Sequence, residues 1–216
     1  MTSVAETSYM DTFASRANHS WIEQLSPDTE QAKHSPNKRM REVFSGHYVL
    51  VKPTPLPDPE KVIHSDSMAL EFELDEEAIN SETFLNFFSG NTDILPQFRI
   101  WATPYALSIY GQEMYDNCPF KTGNAYGDGR AIYIGEVLMP SGKRWDLQLK
   151  GAGTTPWCRG GDGRAVLRSS IREFLVSEAM HAMGVPTTRA LSLVVSKTET
   201  VDRPWCVPRF DSSRVY

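Results

Sequence analysis

Residues 130–150 constrain the fold more than any other part of the chain. Ile132 and Ile134 alternate with their neighbours, Pro140-Ser141-Gly142-Lys143 is turn chemistry, and a second alternating run follows. In that run Trp145, Leu147 and Leu149 fall on one side, and Arg144, Asp146, Gln148 and Lys150 on the other. Successive strand residues point to opposite faces, so the pattern predicts a β-hairpin with one buried and one solvated face. Lys150 leaves from the polar face at the strand's end.

Glycine punctuates both sides of this hairpin. Gly-Asp-Gly-Arg-Ala occurs at 127–131 and again at 161–165, and Gly-Ala-Gly fills 151–153. Glycine lets the backbone approach an anion closely, and arginine offers a rigid fork of donors that matches phosphate oxygens. Each copy alone reads as a structural turn. Two copies flanking a lysine shift the reading toward a polyphosphate ligand, with Gly127 and Gly129 turning amides to the anion and Arg130 adding charge. In the second copy, Asp162 beside Gly163 either accepts from ribose or adenine groups or closes an Asx-turn before the next helix. The spacing of the copies lies in the range of solenoid repeats. However, the first copy enters a strand and the second a helix, which rejects a repeat architecture.

Ile171, Phe174, Leu175, Ala179, Ala182 and Met183 follow helical spacing and predict one apolar face. Ser170 with Glu173 has the form of a capping box, Gly184 and Pro186 end the helix, and 190–195 reads as a strand. A strand lysine paired with a helix glutamate is the device by which kinase-like sites orient an ammonium before nucleotide arrives. Glu173 is one candidate partner for Lys150 and Glu178 a rival. A capping-box Glu173 needs no partner, and an unpaired Lys150 is an ordinary solvated strand lysine. Spacing alone leaves these readings open.

The first hundred residues say less. Residues 1–45 are polar and read as a flexible lead-in with one short helix around 21–25. Residues 47–51 are β-like and are stopped by Pro53, Pro55, Pro57 and Pro59. The acids Glu71, Glu73, Asp75, Glu76 and Glu77 read as a solvated face or loop, and Ser81 through Gly90 as a short amphipathic helix. Residues 101–115 are aromatic-rich and ambiguous between helix and buried strand.

Composition narrows the function classes. A formal net charge of -5 argues against a general nucleic-acid binder. The 3 cysteines form no CxxC pair and the 5 histidines no ligand-spaced cluster, so neither a disulfide framework nor a zinc site is indicated. There is no membrane-length apolar run and no secretory or presequence layout, so the expected setting is intracellular, without a membrane. GxxxxGK[ST] and GxGxxG are both absent, which removes a Walker loop and a Rossmann dinucleotide site. Ser169 and Ser170 lack a histidine or an elbow motif, and Cys158 reads as a small, semi-buried residue.

The strings GNAYGDGRAIYIGEV and WDLQLKGAGTTPWCRGGDGRAVLRSSIREFLVSEAMHAMGVPTTRALSLVVSKTETV, with the earlier GHYVLVKPTPLPDPEKVIHS and WATPYALSIYG, closely resemble the selenoprotein O (SelO) family of kinase-like protein adenylyltransferases. The resemblance spans residues 46–201, flanked by the lead-in at 1–45 and a divergent tail at 202–216. It implies an α+β fold, a protein-kinase-like N-lobe whose antiparallel sheet carries a C-helix equivalent. It implies ATP bound in a flipped orientation and, with Mg²⁺ or Mn²⁺, transfer of AMP to Ser, Thr or Tyr hydroxyls of other proteins. By motif, Gly127, Gly129 and Arg130 would bind nucleotide phosphate, Lys150 would hold phosphate oxygens with Glu173 as its partner, and Asp162 and Gly163 would contact the nucleotide.

Family members are far longer, and their catalytic and metal-binding Asp and Asn lie in a C-lobe expected to be missing here. Arg209 and Arg214 do not reproduce the family's phosphate-binding arginine pair. No catalytic residue or metal ligand is therefore expected in this chain, and the isolated chain is expected to be inactive or weak. A non-catalytic ATP-binding or interaction module is the alternative, and a conventional kinase a third. The resemblance to eukaryotic members implies a mitochondrial or cytoplasmic setting.

Overall fold

The computed structural model describes residues 9–41, 43, 45–103, 129–158 and 161–201. Among the described residues the fold is α+β, built on antiparallel sheets. The predicted hairpin is its centre: β3 (Ala131–Leu138) and β4 (Arg144–Lys150) pair from Leu138↔Arg144 at the turn to Ala131↔Lys150 at the open end. Leu147 is buried and Trp145 and Leu149 pack against the core, while Arg144, Asp146, Gln148 and Lys150 lie on the opposite, more solvated face. The alternation worked because a pleated strand under a one-sided core allows no other register.

The polar lead-in is a correction over its described part. Helix α1 (Tyr9–Ser15) buries Met10, Phe13 and Ala14, and the two-residue strand β1 (Ala17–Asn18) joins the sheet beside β3. Helix α2 (Ser20–Gln24) comes next, close to the expected 21–25. Few hydrophobes are enough for α1 because each finds a place already lined with aromatics. Phe13 meets Phe72 edge to face at 5.7 Å and Phe98 at 5.9 Å. Glu136 in β3 ties this segment down, accepting from the Ser20 hydroxyl at 2.6 Å and the Trp21 amide at 3.2 Å and pairing with Arg144. Burial pushes the Glu136 carboxyl up, but those donors outweigh it and hold it below the usual carboxylate range.

The segment after the prolines is more ordered than its composition suggested. Strand β2 (Pro59–His64) pairs antiparallel with β5 (Ser192–Ser196), across most of the chain's length. The 47–51 stretch contributes only bridges, Pro27↔Tyr48 and Val49↔Ala102. Three short helices come after β2: α3 (Asp66–Glu71), α4 (Glu76–Ile79) and α5 (Glu82–Phe88). Each is capped by the side chain before it, Ser65, Asp75 and Ser81 respectively. The acidic run is thus divided: Asp75 caps, Glu71 pairs with Lys143, and Glu73 pairs with Arg16 at 2.6 Å. Helix α5 places Phe84, Phe87 and Phe88 in the core, with the first two fully enclosed. Burying each such ring is worth roughly 1.5–3 kcal/mol.

Helix α6 (Leu167–Ala182) departs from expectation at both its start and its face. The capping box does not form. The N-cap is Val166, the Ser170 hydroxyl donates back to the Val166 carbonyl at 3.1 Å, and Glu173 is left available to another partner. The apolar face is present but uncovered: only Phe174 is buried, while Leu175, Val176 and Met183 stand more than half exposed. The C-terminus is as expected. Gly184 at φ +78 closes a Schellman turn, with the Val185 amide donating to the Met180 carbonyl and the Gly184 amide to the His181 carbonyl, both at 2.9 Å. Most of the 101–115 stretch lies outside the described residues. Trp101, which is inside, stacks on Tyr133 with centroids 4.4 Å apart.

Candidate functional site

The open end of the hairpin assembles the site. Ala131 and Lys150 are register partners, and the Gly151 amide donates to the Arg130 carbonyl at 2.9 Å. Arg130 and Lys150 therefore sit at the ends of neighbouring strands, one register step apart. The Lys150 ammonium donates to Glu173 Oε2 at 2.5 Å, which settles the choice that spacing left open. Glu178, about 140° further round the helix, is held elsewhere. It accepts from Arg189 at 2.8 and 2.6 Å, from the Ser65 hydroxyl at 2.8 Å and from the Ala190 amide at 3.0 Å. Chiefly through Arg189, its carboxyl is lowered to about 2.

Both members of the Lys150–Glu173 pair are about half exposed, at 52% and 50%. A solvated pair of this kind contributes only about 0–1 kcal/mol. Its effect is directional: the ammonium is held at the hairpin's mouth instead of sampling its rotamers in water.

The two copies of the pentapeptide meet here. Gly129 and Gly163 share a left-handed backbone, at φ +69 and +71. The Gly129 carbonyl accepts from the Thr155 hydroxyl at 2.6 Å. The second copy is wedged against 151–153: a Cβ on Gly163 would lie 2.0 Å from the Gly153 carbonyl oxygen, and the Gly153 amide donates to the Gly163 carbonyl at 3.2 Å. Asp162 Oδ1 accepts from the Arg164 amide at 2.8 Å, so the Asx-turn forms. Arg130 Nη1 donates to the Arg164 carbonyl at 3.0 Å. Gly127, the remaining predicted site residue, lies outside the described residues.

Three further residues complete the surroundings: Arg164, Glu199 and Lys38. Arg164 is buried and chelates Glu199 through Nε and Nη2, both at 2.8 Å. Its Nη1 donates to the Thr54 carbonyl at 2.8 Å and its Nη2 to the Pro55 carbonyl at 3.3 Å. Lys38 donates to the Thr54 hydroxyl at 2.6 Å and to the Pro53 carbonyl at 3.4 Å, and burial and then the Arg164 charge lower its pKa. The Thr54 amide in turn donates to the Ala152 carbonyl at 2.7 Å, so the proline segment lies along the Gly-rich loop. Only the repetition of the motif hints at Arg164. Nothing local marks Glu199 or Lys38.

The assembly leaves Arg130 and Lys150 at the open end of the hairpin beside glycine-rich turns, which suits an anion. It offers orientation and charge, with no nucleophile–base couple among the described residues at the mouth. Among the described residues, no group of three or more His, Cys, Asp or Glu side chains gathers to hold a metal ion. A small hollow lined by Asn18, His19, Trp21, Arg99, Glu136 and Asp146 lies nearer the hairpin turn, with room for about one water. No helix among the described residues is long and apolar enough to cross a membrane.

The family model described as Protein adenylyltransferase SelO matches residues 30–206. A protein nucleotidyltransferase YdiU from Azoarcus sp. (strain BH72) is 48% identical over 174 residues, covering 81% of this chain and 31% of the relative. Its counterpart from Xanthomonas axonopodis pv. citri (strain 306) is 48% identical over 172 residues, covering 80% and 30%. That of Methylobacillus flagellatus is 46% identical over 158 residues, covering 73% and 29%. The chain thus spans about 30% of the length of these curated relatives.

Proposed function

The chain belongs to the SelO family, and on that footing we propose that it is the ATP-cradling part of a protein adenylyltransferase, with a kinase-like N-lobe formed by β3, β4 and α6. The observation that carries this reading is the Lys150–Glu173 contact at 2.5 Å, one register step along the hairpin from Arg130, at its open end beside glycine-rich turns. Lys150, aimed by Glu173, would hold phosphate oxygens. Arg130 and the amides around Gly129 would neutralise and orient the triphosphate. Gly163 would keep the second loop close to the nucleotide, and Asp162 would hold that loop's turn. In nucleotidyl transfer most of the acceleration comes from such positioning and charge neutralisation.

Transfer of AMP, and protein Ser, Thr or Tyr hydroxyls as its acceptors, belong to this proposal, as does an intracellular setting. Mg²⁺ or Mn²⁺ would accompany ATP and neutralise its phosphates. The described residues do not fit such an ion: Glu173 is engaged by Lys150, Asp162 by the Arg164 amide, and no acidic group gathers beside them. The relatives extend well beyond the matched region, and the uncovered face of α6 suits a further lobe carrying that chemistry.

Titration of the 216-residue chain with ATP by calorimetry tests the reading. Binding is expected, and Lys150→Ala should weaken it about tenfold or more. Labelling of proteins from ATP carrying label in the α-phosphate should stay at background with this chain alone. Strong labelling that Lys150→Ala abolishes would show that the catalytic groups are already present. Metal-independent ATP binding without any transfer, even alongside the remainder of a longer protein, would favour a non-catalytic ATP-binding module. Transfer of the γ-phosphate would indicate a conventional kinase.

A further inference from the structure

Arg164 repeats the position of Arg130 within the pentapeptide, yet its guanidinium does not face the mouth. It is buried, and its donors are committed to Glu199 and to the Thr54 and Pro55 carbonyls. Its backbone is engaged as well, the amide donating to Asp162 and the carbonyl accepting from Arg130. Glu199 is itself anchored, because the Ser196 hydroxyl accepts from the Glu199 amide at 2.8 Å and donates to the Pro57 carbonyl at 2.5 Å. A continuous set of contacts therefore runs from the end of β5 through Glu199 and Arg164 to the guanidinium of Arg130.

We propose that Arg164 and Glu199 form a clasp that sets the direction of Arg130, making both of them positioning residues for the nucleotide site. The physical basis is rigidity. A partly exposed arginine loses much of its value as an anion donor if it must be ordered when the ligand arrives. The Arg164 carbonyl supplies Arg130 with a fixed acceptor on one side, leaving its remaining donors aimed. That carbonyl stays in place because the Arg164 side chain is fastened by a buried charge-assisted pair and by two backbone oxygens. The clasp also joins the proline segment, the second Gly-rich loop and the end of β5, three parts of the chain remote from one another in sequence.

This inference rests on the proposed ATP site, so its test carries a readout that needs no nucleotide. The variant is Glu199→Gln in the full chain, which keeps size and removes charge. Hydrogen exchange should speed up in peptides covering 161–166 and 129–133, while the middle of β4 is unchanged. Unchanged exchange at 129–133 would overturn the clasp whatever happens to ATP.

The second readout is ATP affinity. Glu199→Gln should weaken binding about fivefold in the natural background and less than about 1.5-fold in an Arg130→Ala background, since its effect passes through Arg130. Equal losses in both backgrounds would mean a merely structural role and would overturn the proposal. If the natural chain binds no ATP, the nucleotide reading fails and the exchange result alone decides the clasp. Should Glu199→Gln not fold, Arg164→Lys takes its place with the same expectations, because a lysine cannot bridge Glu199 and two carbonyls at once.

Discussion

The two Gly-Asp-Gly-Arg-Ala copies are identical in sequence, yet their arginines end in different surroundings. Their second glycines, Gly129 and Gly163, share nearly the same left-handed φ, +69 and +71. The elements they lead into differ. The first copy runs into β3, which leaves Arg130 partly exposed at the hairpin's mouth. The second runs into α6, and Arg164 is drawn under the proline segment, where Glu199 neutralises it. A short motif does not fix the fate of its charge: the neighbours decide whether the arginine stays partly exposed or is buried as a fastening.

The largest effect should come from the packed copy's glycine. Gly163→Ala puts a Cβ 2.0 Å from the Gly153 carbonyl and keeps a left-handed φ. A loss of at least about 3 kcal/mol is expected, combining roughly 1–2 kcal/mol of backbone strain with the clash, measured by urea denaturation.

Next in size is the contrast between the arginines. Arg164→Ala strands Glu199 and two carbonyls and should cost about 2–3 kcal/mol of stability. Arg130→Ala should change stability by less than about 1 kcal/mol while weakening ATP binding. Equal thermal shifts for the two variants would break the comparison.

Lys150→Ala sharpens it further. The exposed Glu173 pair predicts a stability change within about 1 kcal/mol, and the large change should appear only in nucleotide affinity.

A last contrast, read in the pH dependence of stability, concerns Glu178. Its carboxyl is lowered to about 2 against an ordinary 4.5, so its stabilisation is complete above the unfolded value. That contribution should fade as pH falls from about 4.5 toward 2. Glu178→Gln should flatten this acid limb, which denaturation at a series of pH values would show.

The parts legible in advance were those whose causes lie within a few residues. Alternation around Trp145, Leu147 and Leu149 specified the hairpin, Ser81 capped α5, and Gly184 ended α6. Glu173 was legible only as one of two acids on the helix. The capping box failed because Val166 begins the helix one turn early, which frees Glu173 for Lys150. Helix α1 escaped notice because Met10 and Phe13 are too few to show a period. Their burial depends on Phe72 and Phe98, far along the chain.

The sequence by itself determined the hairpin, the left-handed second glycine of each pentapeptide and the lysine at the strand's end, because backbone sterics and side-chain alternation act locally. Only the tertiary structure decided which glutamate meets Lys150, which arginine is buried, and that β2 pairs with β5. Those outcomes turn on contacts between residues distant in sequence, and nothing in the spacing of a chain tells two chemically equal partners apart.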